Sequence, residues 1–335
     1  MIAASDTRQN RVKYSVIVPM YNEEEVITHT YSRLTEVMQQ TEETYELIFV
    51  NDGSHDRTLE VINQLKQQDA HVRVIDFSRN FGHQIAITAG MDYAEGDAII
   101  VIDADLQDPP EVILQMIEKW QAGYEVVYAK REKRKGETLF KKWTAKLFYR
   151  VLRQMTNVEI PLDTGDFRLI DRKVAQVLRG LKEKNRFVRG LISWIGFRQT
   201  SVSYVREERF AGETKYPLKK MISFALDGIT SFSYKPLKIA SYIGFLVSLG
   251  GFVYLLVVIF QRLFTDTTET GWASIIAIIL IFNGIILMLL GIIGEYIGRI
   301  YDESKDRPLY IVRSVDEKNE LEDKRLLEKN NEGTQ

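Results

Sequence analysis

Asp103-Ala104-Asp105-Leu106-Gln107 puts three oxygen-bearing side chains at alternate positions, directly after the apolar run Ala98 to Ile102. In an extended chain, residues two apart share a face. Asp103, Asp105 and Gln107 are therefore expected to offer a donor set made of oxygen alone. Such a set suits a hard divalent cation, Mg²⁺ or Mn²⁺. These ions take few protein ligands and share the rest with substrate phosphates, so a nucleotide diphosphate is the natural partner. Acids at a strand end can also simply cap the next helix, and the motif alone leaves both readings open. Asn51-Asp52-Gly53-Ser54 supplies another acid. It reads either as a turn or cap or as a carboxylate that accepts hydrogen bonds from a base or ribose. In Pro19-Met20-Tyr21-Asn22-Glu23, Tyr21 could stack on a nucleobase, while Glu23 could merely occupy a first helical turn.

Other chemistries are disfavoured or excluded. There is no Walker loop and no GxGxxG, which disfavours a P-loop kinase and a dinucleotide enzyme. There are no cysteines, so disulfides, thiolate metal sites and a Cys nucleophile are excluded. His29, His55, His71 and His83 lack zinc spacing and read as structural or surface residues. His83, within Arg79-Asn80-Phe81-Gly82-His83-Gln84, is the one to watch. Lys and Arg total 44 against 46 Asp and Glu. That balance argues against a nucleic-acid binder driven by phosphate attraction.

Alternating elements must position these residues. Strands are expected at Tyr14–Pro19, Tyr45–Val50, Val72–Phe77, Ala98–Ile102 and Glu125–Ala129. Helices are expected at Glu23–Gln40, with Asn22 as N-cap, and at Asp56–Gln68, Gly82–Ala94 and Glu111–Ala122. Alternation at roughly 25–30 residues per unit predicts an α/β fold with a mostly parallel, doubly wound sheet. Ligands of such sheets bind at the carboxyl ends of strands. Asp52 and Asp103 both fall there, converging on one crevice. No internal repeat is visible.

The remainder of the chain is different in kind. Basic amphipathic patterns run over Gly136–Met155 and Leu218–Ile229. The first reads equally as packing on the sheet or lying in a membrane interface. The second leads into an apolar region and is read as interfacial. Leu237–Phe260 and Trp272–Gly294 are each about 23 residues long, enough to cross a hydrocarbon core of about 30 Å. The outer flanks carry Lys215, Lys219, Lys220, Lys235 and Lys238 before, and Arg299, Lys305 and Arg307 after. Arg262 is the one base between the spans, so the positive-inside rule puts both flanks in the cytoplasm. Residues 1–13 lack the apolar core of a signal peptide, which also predicts a cytoplasmic first domain. The expected plan is a catalytic domain over 1–210, a juxtamembrane amphipathic region over 211–235, and two spans within 236–300 (237–260 and 272–298). A charged tail over 301–335, disordered from Val315, completes it.

The string SRNFGHQIAITAGMDYAEGDAIIVIDADLQDPPE, from Ser78 to Glu111, closely resembles the family 2 glycosyltransferases that act on polyprenyl phosphates. So do Val18 to Glu23, Asn51 to Ser54, and Asp163-Thr164-Gly165-Asp166-Phe167-Arg168-Leu169. That group includes the dolichol-phosphate mannose synthases and the bacterial bactoprenol glucosyltransferases, and the two spans resemble the bacterial branch. The resemblance runs from about Tyr14 to Val312. It implies a GT-A-type, Rossmann-like domain, with Pro19, Tyr21, Glu23 and Asp52 holding the nucleoside. Asp103 matches a donor-site acid, and Asp105 and Gln107 match the metal positions for Mg²⁺ or Mn²⁺. Arg131 matches a basic residue near the phosphates, and Asp166 lies in an active-site segment. Arg209 and Lys215 match residues that grip the acceptor phosphate; Thr214 stands beside Lys215 where relatives often have Ser. The implied reaction moves a sugar from a nucleotide sugar to undecaprenyl phosphate with inversion. UDP-glucose and UDP-N-acetylglucosamine lead as donors. The implied location is the cytoplasmic membrane, in a homo-oligomer such as the tetramer of two-span relatives. A processive polysaccharide synthase would need more spans and a QxxRW motif, which the sequence lacks. A non-enzymatic scaffold fits poorly with intact Asp52, Asp103 and Asp105.

Overall fold

The computed structural model describes residues 11–132, 164–206, 233–264 and 271–315. The chain forms two compact units. The first is an α/β unit built on one mixed sheet. Its strands are β1 (Tyr14–Met20), β2 (Tyr45–Asn51), β3 (Val72–Phe77), β4 (Ala98–Val101), β5 (Val126–Arg131), β6 (Thr164–Asp171), β7 (Gln199–Tyr204) and β8 (Val312–Val315). The order is β7-β5-β6-β4-β1-β2-β3-β8. The parallel centre, β4-β1-β2-β3, follows from apolar runs buried on both faces, as parallel strands require. β6 lies antiparallel between β4 and β5.

Helices α1 (Ile27–Gln39), α2 (Thr58–Gln68), α3 (His83–Tyr93) and α4 (Val112–Gln121) follow the first four strands. Shorter helices α5 (Arg172–Gly180) and α6 (Val188–Trp194) follow β6. Alternate residues of β1, namely Tyr14, Val16, Val18 and Met20, share a core with Ile27 and Leu34 of α1 and Ile113 and Met116 of α4. Ile17 points the other way and meets α3. A Cβ on Gly90 would lie 2.3 Å from the Ile17 side chain, so only glycine permits this approach.

Two local expectations are corrected. α1 begins at Ile27 rather than Glu23, and Asn22 is not its N-cap. Asn22 adopts a left-handed φ of 54°. Its side-chain oxygen accepts the His55 N–H at 2.9 Å, and its own N–H donates to Ser54 Oγ at 3.0 Å. Asn22 thus ties the first strand–helix turn to the second. The segment after residue 301 is also not a single tail. Helix continues to Ser304, and residues 308–315 belong to the α/β unit, where β8 pairs antiparallel with β3. Residues 316–335 lie outside the described residues.

The second unit contains α7 (Lys235–Phe264) and α8 (Trp272–Ser304), both long and apolar enough to cross a membrane. Phe245, Leu246, Leu287 and Met288 are exposed on them. Contiguous apolar surface of this extent marks contact with lipid or another protein rather than water. The amphipathic segments 136–155 and 218–229 lie outside the described residues.

Candidate active site

The site forms where β1, β2 and β4 end. The Asp52 N–H donates to Met20 O at 2.9 Å, which fastens the two neighbouring strand ends. Asp52 is buried. Its carboxylate accepts the N–H groups of Phe81 (2.6 Å) and Gly82 (2.9 Å). Burial raises its pKa despite these bonds. Gly53, at φ 66°, packs against the same loop. A Cβ there would lie 2.4 Å from the Arg79 carbonyl carbon. The 51–54 turn and the 78–82 loop therefore form one surface. Tyr21 is exposed beside it, edge-on to the His55 ring at 6.4 Å. Pro19 is buried within β1, past the last β1–β4 pair, where a missing N–H costs little. The Glu23 N–H donates to Thr58 Oγ1 at 2.8 Å and so bridges the two turns.

Gly82 leads into His83, the first residue of α3. His83 Nε2 lies 3.3 Å from Asp166 Oδ2 and 3.5 Å from Asp103 Oδ1. Arg189, on α6, donates from Nε and Nη2 to the two Asp166 oxygens at 2.7 and 2.9 Å. Gln84 adds a bond to Asp166 at 3.1 Å and also accepts the Val188 N–H at 3.1 Å. Burial works against charge throughout this group, and its outcome differs by residue. Asp166 is nevertheless held well below the usual carboxylate range by Arg189 and His83. Burial also pulls His83 down, but the Asp166 hydrogen bond and the Asp103 and Asp166 charges raise it to about 9. Asp103 goes up to about 6, because burial outweighs His83 and the nearby Asp166, Asp108 and Asp105 add repulsion. Arg168, also buried, falls to about 10.

A second cluster adjoins through Gly165. Tyr204 donates a hydrogen bond to Asp108. Arg131 Nε donates to the Tyr204 hydroxyl at 3.0 Å, and its Nη2 lies 3.5 Å from Asp108 Oδ2. Arg206 Nε is 3.7 Å from Asp108 Oδ1. A Cβ on Gly165 would stand 2.8 Å from Arg131 Nη2 and 3.7 Å from Asp108 Oδ2, so the bare backbone makes room for the guanidinium. Burial and the neighbouring Arg131 charge lower the Arg206 pKa.

Asp103, Asp105 and Gln107 do not lie on an extended strand. β4 ends at Val101, and Leu106 takes a left-handed φ of 54°. Asp105 Oδ1 accepts the Gln107 N–H at 3.2 Å. This local Asx-type bond folds the segment into a turn and breaks the two-residue alternation. The donor set still fits a hard cation. Asp103 Oδ1 is buried with no hydrogen-bond partner among the described residues. No cluster of three or more His, Cys, Asp or Glu residues is suited to enclose an ion among them. An ion bound by few protein oxygens and completed by phosphate matches that arrangement.

The fold thus brings Asp52, Asp103, Asp166 and Arg131 into one continuous set of contacts, with Tyr21 and Glu23 on its turn side. Arg209 and Lys215 lie outside the described residues. Gln84 and Asp108 lie in the string that carries the family resemblance but had no role assigned there, whereas Arg189, Tyr204 and Arg206 join the site without a sequence signal of their own. His83 had one, since it sits in a polar run between a strand and a helix.

The chain matches the glycosyl transferase family 2 over residues 15–179 and the GtrB C-terminal hairpin over residues 235–300. It is 67% identical to an uncharacterized glycosyltransferase of Bacillus subtilis (strain 168), covering 90% of this chain and 94% of that one. A Synechocystis sp. relative, likewise an uncharacterized glycosyltransferase, is 48% identical over 91% of this chain and 96% of its own. A bactoprenol glucosyl transferase of Shigella phage SfV is 43% identical over 92% of this chain and 100% of its own. With these relatives matched over nine tenths of its length, the chain belongs to glycosyl transferase family 2.

Proposed function

We propose that this glycosyltransferase moves one sugar from a nucleotide sugar, UDP-glucose or UDP-N-acetylglucosamine, to undecaprenyl phosphate with inversion. The observation that carries the reading is end-to-end similarity to a bactoprenol glucosyl transferase, hairpin included. The fold gives independent support. One sheet takes in chain from before and after the apolar pair. This supports the reading that both flanks of the pair lie on one face of a membrane. A polyprenyl chain costs about 0.8 kcal/mol per CH₂ to withdraw from lipid, so the enzyme must work at the surface.

In the reaction an acceptor phosphate oxygen attacks C1, the C1–O bond to the diphosphate breaks, and the nucleoside diphosphate leaves. Asp52 and Tyr21 hold the nucleoside. Arg131 and Arg206 face the phosphates and stabilise charge there. Asp105 and Gln107, with the Asp103 oxygen, would hold Mg²⁺ or Mn²⁺, which would supply positive charge to the diphosphate. Asp166 is already paired with Arg189 and His83 and held low, so it positions those two cations rather than taking a proton. The acceptor needs no strong base, because its second pKa of about 6 leaves it largely dianionic at neutral pH.

The test is transfer from radiolabelled UDP-glucose, UDP-N-acetylglucosamine and GDP-mannose to undecaprenyl phosphate in vesicles, with and without Mg²⁺ or Mn²⁺. One donor should give a lipid carrying a single sugar, with the ion required. Long polymer would point to a processive synthase. Absence of turnover with every donor would point to a scaffold.

A further inference from the structure

β8 follows the apolar pair in sequence yet completes the edge of the catalytic sheet. A four-residue strand is marginal alone, and this one is held by more than its ladder. The Ser78 N–H donates to Ile311 O at 2.9 Å. The Tyr310 ring stacks on Phe77 at 5.2 Å and 17°. Its hydroxyl donates to Asp92 Oδ2 at 3.0 Å, near the far end of α3. Arg313 Nη2 donates to Ser78 O at 3.0 Å, and Nη1 lies 3.5 Å from Asp76 Oδ2.

These contacts converge on the donor side of the crevice. Asp76 is buried, and its other oxygen accepts Asn51 Nδ2 at 2.7 Å. Asn51 Oδ1 in turn accepts the Ser54 N–H at 3.2 Å, which shapes the turn holding Asp52. Ser78 opens the loop whose Phe81 and Gly82 N–H groups bind Asp52, and Phe81 packs edge-on against Phe77 at 5.6 Å. The tail therefore touches both the loop that closes on Asp52 and the strand beneath it.

We propose that residues 310–315 act as a positioning clamp on the 51–54 turn and 78–82 loop, with Arg313 as its principal contact. Nucleotide affinity then depends on chain that emerges from the apolar pair. This rests on the donor assignment above. Arg313 touches no reacting atom, so its removal acts on donor binding and spares the chemical step.

The experiment uses the full chain in vesicles containing undecaprenyl phosphate. UDP and GDP binding is measured alongside steady-state transfer with each donor of the panel. Arg313→Ala should weaken nucleotide binding and raise donor KM about fivefold to tenfold, with kcat and acceptor KM within about twofold. Arg313→Lys should recover much of the loss. Tyr310→Phe, which keeps the stack and loses the Asp92 bond, should raise donor KM about twofold. Unchanged donor KM and nucleotide affinity in Arg313→Ala, with an active wild type, would overturn the clamp alone. So would a fall in kcat matching a lower melting temperature, without rescue by Lys. A wild-type chain that binds neither nucleotide and transfers no sugar would overturn the donor assignment itself.

Discussion

Two buried charged regions lie toward opposite ends of the sheet's strands, and the fold treats them differently. Near the amino ends, Glu46 is fully engaged. Ser15 Oγ and Arg73 donate to its two oxygens, and the Glu95 N–H donates to it at 2.8 Å. Ser15 Oγ in turn accepts the Gly96 N–H at 2.7 Å. Near the carboxyl ends, Asp103 Oδ1, Asp108 Oδ2 and Arg206 Nε are buried without hydrogen bonds among the described residues, each meeting an opposite charge only at 3.5–3.7 Å. A buried polar group left without a hydrogen bond costs up to about 1–3 kcal/mol. A fold retains such groups where something other than stability selects them. The satisfied cluster holds strands together, and the other is the one to which the proposed function assigns phosphate and metal.

Asp103→Asn should cut transfer about a thousandfold, the loss expected when a main electrostatic group of a phosphate site is removed. Its melting temperature should stay level or rise, because the burial of its charge and the repulsion from Asp166, Asp108 and Asp105 are relieved and outweigh the lost attraction to His83. A marked drop in melting temperature alongside lost activity would erase the distinction.

Glu46→Ala should do the reverse. Breaking a buried pair costs about 3 kcal/mol, visible in urea unfolding, while turnover per folded molecule stays near wild type. Lost turnover in fully folded protein would show that the amino end also serves catalysis.

Asp166→Asn sharpens the picture, because this acid is both satisfied and in the site. Transfer should fall about thirtyfold, through displaced His83 and Arg189. The pH dependence follows from His83. Its folded pKa, about 9, lies above the ordinary 6.5. Stabilisation from its charged form is complete below pH 6.5 and fades as pH rises through 9. In Asp166→Asn the His83 midpoint, followed by NMR, should drop, and stability should vary less across that window. An unmoved midpoint would remove Asp166 as the group that keeps His83 charged.

Gly165→Ala gives the smallest effect of the four. The new methyl displaces the end of Arg131 rather than backbone. Transfer should fall about tenfold with melting nearly unchanged. Wild-type rates would separate Arg131 from the reaction.

Much of the frame is written in local pattern. Val72–Phe77 is a strand in sequence and structure alike, and the other four expected strands differ by a residue or two, because apolar runs bounded by turns are short-range signals; β6, β7 and β8 are not among the expected strands. The apolar pair is equally legible, since length and the absence of charge do not depend on neighbours. Asp52 and Asp103 at strand ends follow from the same alternation. Asn22, by contrast, resembles a helix cap, yet long-range bonds to Ser54 and His55 take its polar groups. Leu106 turns where alternation predicts extension, because a local bond from Gln107 to Asp105 competes with strand geometry.

Local pattern was enough for β1 to β5, α1 to α4, the apolar pair and the acids Asp52 and Asp103 at strand ends. Tertiary structure decided the company those acids keep. The antiparallel insertion of β6 brings Asp166 to His83, α6 delivers Arg189 to Asp166, and β8 returns to β3. Charge pairing and edge pairing depend on which segments meet in space, and spacing along the chain does not encode that.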